Sequence, residues 1–170
     1  MSNKAAKIVE VAKRHVGSAL WAYSVEKGDF GKNTNKCNLF VYDVMVEADA
    51  RPLPVVSRRI FWTRPPLARE WADPAVEIEG WDVVSSPEPG DVISEAHEYA
   101  DATGHVGIVV GPGETVSAAS NAVLRNDWGF RQGQKPTYRR LSRPLAGHMT
   151  GPPGRREYHP PGGGGRIPEW

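Results

Sequence analysis

One cysteine and five histidines are the residues whose types could carry covalent chemistry here: Cys37, and His15, His97, His105, His148 and His159. The thiolate is the form of cysteine that attacks a carbonyl, and a helix N-terminus stabilises it. Cys37 follows a loop of Gly, Asn, Thr and Lys (GDFGKNTNK) and precedes the apolar run NLFVYDVMVEADA. That context predicts the first turn of a helix, with the sulfur near the surface and its pKa lowered. A cysteine nucleophile needs a base. His105 opens the apolar run HVGIVV behind Gly104, so its ring is expected to project from the edge of a rigid sheet with small neighbours beside it. His15 falls on the first predicted helix as a partly buried structural residue, and His97 in an acidic, exposed turn. His148 and His159 stand in Gly/Pro-rich chain that has nothing to hold them.

The elements that must position Cys37 and His105 follow from apolar spacing. Residues 4–16 place Ile8, Val9, Val11, Ala12, His15 and Val16 on one helical face, and Gly17 follows where a helix end favours a residue without Cβ. A second helix begins near Cys37 and buries Leu39, Val41, Val44, Met45 and Ala48. Residues 51–89 carry prolines at 52, 54, 65, 66, 74, 87 and 89 together with Trp62, Trp71 and Trp81, and read as irregular apart from one short helix starting near Pro66. Short strands are predicted at 91–94, 105–110, 114–120, 122–126 and 137–141. Helices first and consecutive strands afterwards make an α+β domain, its N-terminal helices packed on an antiparallel sheet. That domain is expected over 1–150. Residues 151–170 are more than half Gly or Pro and are expected to form a flexible tail.

Composition narrows the function classes. With 170 residues, 39% of them hydrophobic, the chain suits one globular core. A net charge of +1 offers no bulk field to draw nucleic acid or an anionic membrane. The signs are uneven, since residues 70–101 hold acids but no Lys or Arg, and read as a solvated face. A single cysteine excludes an internal disulfide and a zinc site built on several thiolates. A metal site is not expected, the remaining ligand set being His97 and His105 with an Asp. No run of 18 apolar residues suggests a membrane span, and the N-terminus lacks the uninterrupted apolar stretch of a signal peptide.

Taken in order, NKCNLFVYDV, PEPGDVIS and GHVGIVV resemble the NlpC/P60 and CHAP group of papain-like cysteine amidases, over about residues 5–130. More narrowly, TNKCNLFVYDV together with WADP, GW and DATGHVGIVVG resembles the type VI secretion amidase effectors, in particular their second family and its domesticated animal relatives. Cysteine precedes histidine, as in the amidases, whereas permuted acyltransferase relatives have the histidine first.

The resemblance implies an NlpC/P60 fold with Cys37 as nucleophile, His105 as general base and the Cys37 backbone N–H as an oxyanion donor, with no cofactor. Asp91, in the Pro-Gly-Asp turn, is expected to shape that turn. The family's third polar residue, on the next strand, falls at Ser117, where His, Asn or Gln is more usual, and Asn121, Asn126 and Asp127 remain alternatives. In a hairpin with its loop at 111–114, Ser117 reaches His105 only if the register permits. Asn38 and Trp71 are the residues expected to contact substrate, Trp71 as the wall of a groove. The implied substrate is bacterial peptidoglycan, cut at the diaminopimelate to D-alanine cross-link, with the D-glutamyl to diaminopimelate stem bond as alternative. Also implied are delivery by a type VI secretion apparatus without a signal peptide, action in the periplasm of a target bacterium, and a cognate immunity protein. The rivals are a phage or housekeeping lysin of the same fold and a catalytically inactive cell-wall-binding module.

Overall fold

Ser2 starts the first helix: its Oγ accepts the N–H of Ala5 at 3.1 Å, satisfying one of the donors that a helix start leaves over. Helix α1 (Asn3–Arg14) then buries Ile8, Val9, Val11 and Ala12 on one face. Gly17 turns the chain with φ of +87°, and its N–H donates to Val123 O at 2.9 Å, tying the helix end to the far side of the sheet. The computed structural model of the chain describes residues 1–50, 55–57, 62–97 and 102–142. The tail expected over 151–170, the end of the domain expected at 150, and His148 and His159 lie outside the described residues.

Helix α2 (Cys37–Glu47) is apolar nearly all round and is correspondingly buried, with Cys37, Asn38, Leu39, Phe40, Val41, Val44 and Met45 all inside. Strands β1 (Val55–Ser57) and β2 (Trp62–Arg64) make a separate antiparallel pair. The short helix α3 (Ala68–Ala72) opens where the Leu67 N–H donates to Glu70 Oε1 at 2.7 Å, a carboxylate also held by Arg64.

Strands β3 (Trp81–Val84), β4 (Val92–Ala96), β5 (Gly104–Gly111), β6 (Glu114–Ala118), β7 (Val123–Asn126) and β8 (Thr137–Leu141) form an open antiparallel sheet in the order β3-β8-β4-β5-β6-β7. The protein is thus α+β, as expected. Strand β3, like β1 and β2, however, lies in the stretch 51–89 expected to be irregular. It pairs on one side only, through Trp81↔Leu141 to Val84↔Tyr138, and Trp81 packs edge-to-face on Trp71 at 5.4 Å. A late strand and a buried indole hold it, neither of which is visible in a window dense in proline.

All three helices contact β5. On their side of the sheet Val92, Val106, Ile108, Val110, Val116 and Val123 meet the apolar residues of α1 and α2 in one core. The opposite face is covered by the segment after β7, where Trp128 packs on His105 and the backbone of Gly129 closes on Ile93.

Asp91 is 2% exposed and accepts the Glu88 N–H at 2.7 Å and the Arg140 Nε and Nη2 at 2.9 and 2.8 Å, so it shapes the turn before β4 and locks it to β8. Asp91→Ala removes a charged acceptor from three donors and is expected to cost about 2 kcal/mol of stability, read by urea denaturation. The chemistry of Cys37 should be unchanged in the variant, provided the urea-free protein remains folded.

Candidate active site

Helix α2 brings Cys37 to β5 at its first position, where the orphan N–H groups of the helix point. The pairing of β5 with β6 covers Ile108↔Val116 to Gly111↔Glu114, and Val106 lies beyond it. The Val106 N–H acts instead on the Cys37 sulfur, together with the N–H groups of Asn38 and of Cys37 itself. Three backbone N–H groups thus act on the sulfur, one of them from the residue that follows His105. Lys36, directly before it, is buried. Its Nζ donates to the carbonyls of Ala22, Tyr23 and Thr34 and to Thr34 Oγ1 at 3.0–3.4 Å, fixing the preceding loop to the start of α2.

The expected exposure of the sulfur does not hold. Cys37 is 6% exposed, and burial pushes its thiol pKa up while the three N–H groups oppose the rise without cancelling it. The resting group is therefore a thiol, where a helix N-terminus alone would favour a thiolate.

His105 and Ser117 come together: His105 Nε2 lies 2.9 Å from Ser117 Oγ. A β-bulge makes this contact. Counted back from the turn pair Gly111↔Glu114, Ser117 would oppose Ile108 and face the helices. The register shifts by one residue between Val109 and Gly111, giving Ile108↔Val116, so Ser117 falls opposite Gly107 and on the face of His105. Gly107 is needed there, because a Cβ on it would lie 2.7 Å from Thr115 Cγ2 and 2.9 Å from Ser117 Cβ. With the proton on Nε2 donated to Ser117 Oγ, Nδ1 keeps the lone pair that can take a proton.

Rather than at a sheet edge, His105 lies near the start of an inner strand. Burial, and secondarily the nearby His97, push its pKa down to about 4, so the imidazole is neutral at pH 7. The edge of the Trp128 indole completes its surroundings, with ring centroids 4.5 Å apart.

The alternatives to Ser117 are engaged elsewhere. Asn121 is exposed in the turn before β7. Asn126 Oδ1 accepts the Trp128 N–H at 3.0 Å, and the exposed Asp127 pairs with Arg131 at 2.7 Å. Trp71 is a correction: at 1% exposure it is packed in the core on Trp81 and forms no groove wall. Asn38 lines a cleft of about 20 Å³ with Cys37, Leu67, Ala68, Thr103 and Gly104. His15 Nε2 sits 2.7 Å from Glu47 Oε1, and His97 pairs with Glu95 at 3.4 Å. Among the described residues no three His, Cys, Asp or Glu side chains gather as a metal would require, and no helix is long and apolar enough to cross a membrane. Trp128 and the Val106 N–H are the parts of the site that sequence reasoning missed.

Three outcomes follow from this geometry. Ser117→Ala should lower the kcat of any Cys37-dependent hydrolysis roughly tenfold, because the imidazole loses the bond that selects its tautomer. For His105 the folded protein favours the neutral ring, so stability present above the unfolded pKa of about 6.5 should be lost progressively as pH falls toward about 4. In any Cys37-dependent hydrolysis that uses His105 as base, the acid limb of kcat/KM should lie near pH 4 instead of near 6.5, as a pH–rate profile would report.

Compared with models of known protein families, the chain matches none, and no curated protein is similar enough to it to count as a relative.

Proposed function

We propose that the protein is a cysteine amidase of the papain-like NlpC/P60 type that hydrolyses amide bonds in the peptides of bacterial peptidoglycan. The observation that carries the proposal is the placement of two groups on successive residues of β5: a thiol at a helix N-terminus on which the Val106 N–H acts, and, one residue earlier, the His105 imidazole held by Ser117. The motif order Cys37, Pro89-Gly90-Asp91, then Gly104-His105-Val106-Gly107 supports the family.

The chemistry needs only these groups. As Cys37 Sγ attacks the scissile carbonyl carbon, its proton passes to His105, an S–C bond forms, and the carbonyl π pair moves onto oxygen. Collapse of that intermediate breaks the C–N bond, and the leaving amine takes the proton from His105. Water then attacks the thioester with His105 as base, which releases the acid and restores the thiol. Two neutral groups that become charged only along this path suit a buried site.

The resemblance extends the proposal to the diaminopimelate to D-alanine cross-link, to delivery by a type VI secretion apparatus into a competitor's periplasm, and to an immunity protein that plugs the site. The second reading is a catalytically silent wall-binding module of the same fold, and the observation that favours it is the burial of Cys37.

Purified sacculi separate the two. The protein is expected to release muropeptides whose masses identify the bond cut, and Cys37→Ala should abolish the release while retaining the melting temperature within a few degrees. Digestion that survives in Cys37→Ala would overturn the proposal, and binding of sacculi without cleavage by the unaltered protein would establish the silent module.

A further inference from the structure

Asn38 stands in the first turn of α2, 6% exposed, and its Nδ2 is buried with no hydrogen-bond partner among the described residues. A buried amide N–H with nothing to donate to is uncommon in folded proteins and asks for an explanation. The residue lines the same cleft as Cys37, and about 20 Å³ is the room one oxygen atom takes. Half-buried Asn35 and Thr103 are the other polar residues of the lining, and the remaining walls are apolar or bare backbone. Leu67 and Ala68 are buried and apolar. Gly104 has φ of +148°, and a Cβ on it would strike the Glu95 carbonyl oxygen, so the wall is bare backbone held in a conformation that a side chain would disturb.

We propose that Asn38 is a catalytic residue, its Nδ2 being the side-chain donor that receives the oxyanion formed when Cys37 attacks an acyl carbon. This rests on the reading of Cys37 as nucleophile and adds to it the position of the developing charge. As the S–C bond forms, the π pair of the carbonyl becomes a lone pair on oxygen, and that oxygen enters the cleft and accepts from Nδ2. The resting protein holds the donor unpaired, so the bond is gained along the reaction, where it lowers the barrier, rather than in the free protein. Asn38 also supplies a backbone N–H to the sulfur itself, so one residue would touch both reacting atoms.

The test compares two reactions of the same thiol. Hydrolysis of p-nitrophenyl acetate passes through an oxyanion; alkylation by iodoacetamide displaces iodide at a tetrahedral carbon and forms none. In Asn38→Ala the kcat/KM for the ester should fall about 100-fold, while the alkylation rate of Cys37 stays within twofold of the unaltered protein at the same pH. Asn38→Leu keeps nearly the same volume and removes the donor without adding charge, so it should show the same split if the alanine variant folds poorly. Ester turnover unchanged in both variants would overturn the assignment. Ester turnover and alkylation falling in step would assign Asn38 to the packing of α2 and overturn it equally. If the unaltered protein hydrolyses the ester no faster than Cys37→Ala, the nucleophile reading itself fails and the oxyanion donor with it.

Discussion

The packing of α2 across β5 is the constraint on which the rest of the structure depends. Phe40, Val41, Val44 and Met45 are fully buried, as are Val106 and Ile108 opposite them. Each such side chain stabilises the fold by about 1.5–3 kcal/mol relative to exposure, so a shift of the helix along the strand would be opposed by several of these terms together. Cys37 is the first residue of that helix and His105 lies one position before Val106. The position of the Cys37 thiol along β5 is therefore set by core packing, not by a flexible loop. A sliding register would turn His105 toward the helices and carry Val106 out of the core, a change the apolar face forbids.

The second half of the site depends on a defect in an otherwise regular hairpin. Without the extra residue between Val109 and Gly111, Ser117 would share the face of Ile108 and could not meet the imidazole. The bulge moves one hydroxyl from one side of the sheet to the other, and Gly107 gives that hydroxyl an unobstructed approach. Trp128 then closes the face, its own backbone held by Thr115 Oγ1 and Asn126 Oδ1 at 2.8 and 3.0 Å. Asn126 thus acts at one remove, by presenting the indole that packs on His105.

Much of this was legible in the sequence, and the remainder was hidden for identifiable reasons. The loop-to-apolar transition at Cys37, the Gly17 stop and the strand HVGIVV are local signals, and α1, α2 and β5 follow them closely. Asp91 was legible through its turn. Strand β3 was not, because its reasons for existing, β8 and Trp71, lie far away in the chain. The burial of Cys37 and of Trp71 is a property of what packs over them, which composition near each residue does not encode. The face of Ser117 hinged on a single bulge residue, and a count of turn positions has no means of detecting a bulge between two valines and a glycine.

The electrostatics of the site follow from its dryness. A thiolate and an imidazolium in contact attract one another, but each must first give up its hydration, and in a buried site the loss can exceed the attraction. At Cys37 and His105 both shifts run toward the neutral forms, the thiol upward and the imidazole downward, with burial as the first cause in each case. The three N–H groups around the sulfur and the hydroxyl at Nε2 are polar without being charged, so they can stabilise charge as it develops without requiring it beforehand. On the proposed reading such a site would resist adventitious alkylation and metal capture at rest, and would become a strong nucleophile only when a carbonyl carbon is close enough to accept the sulfur as the proton leaves.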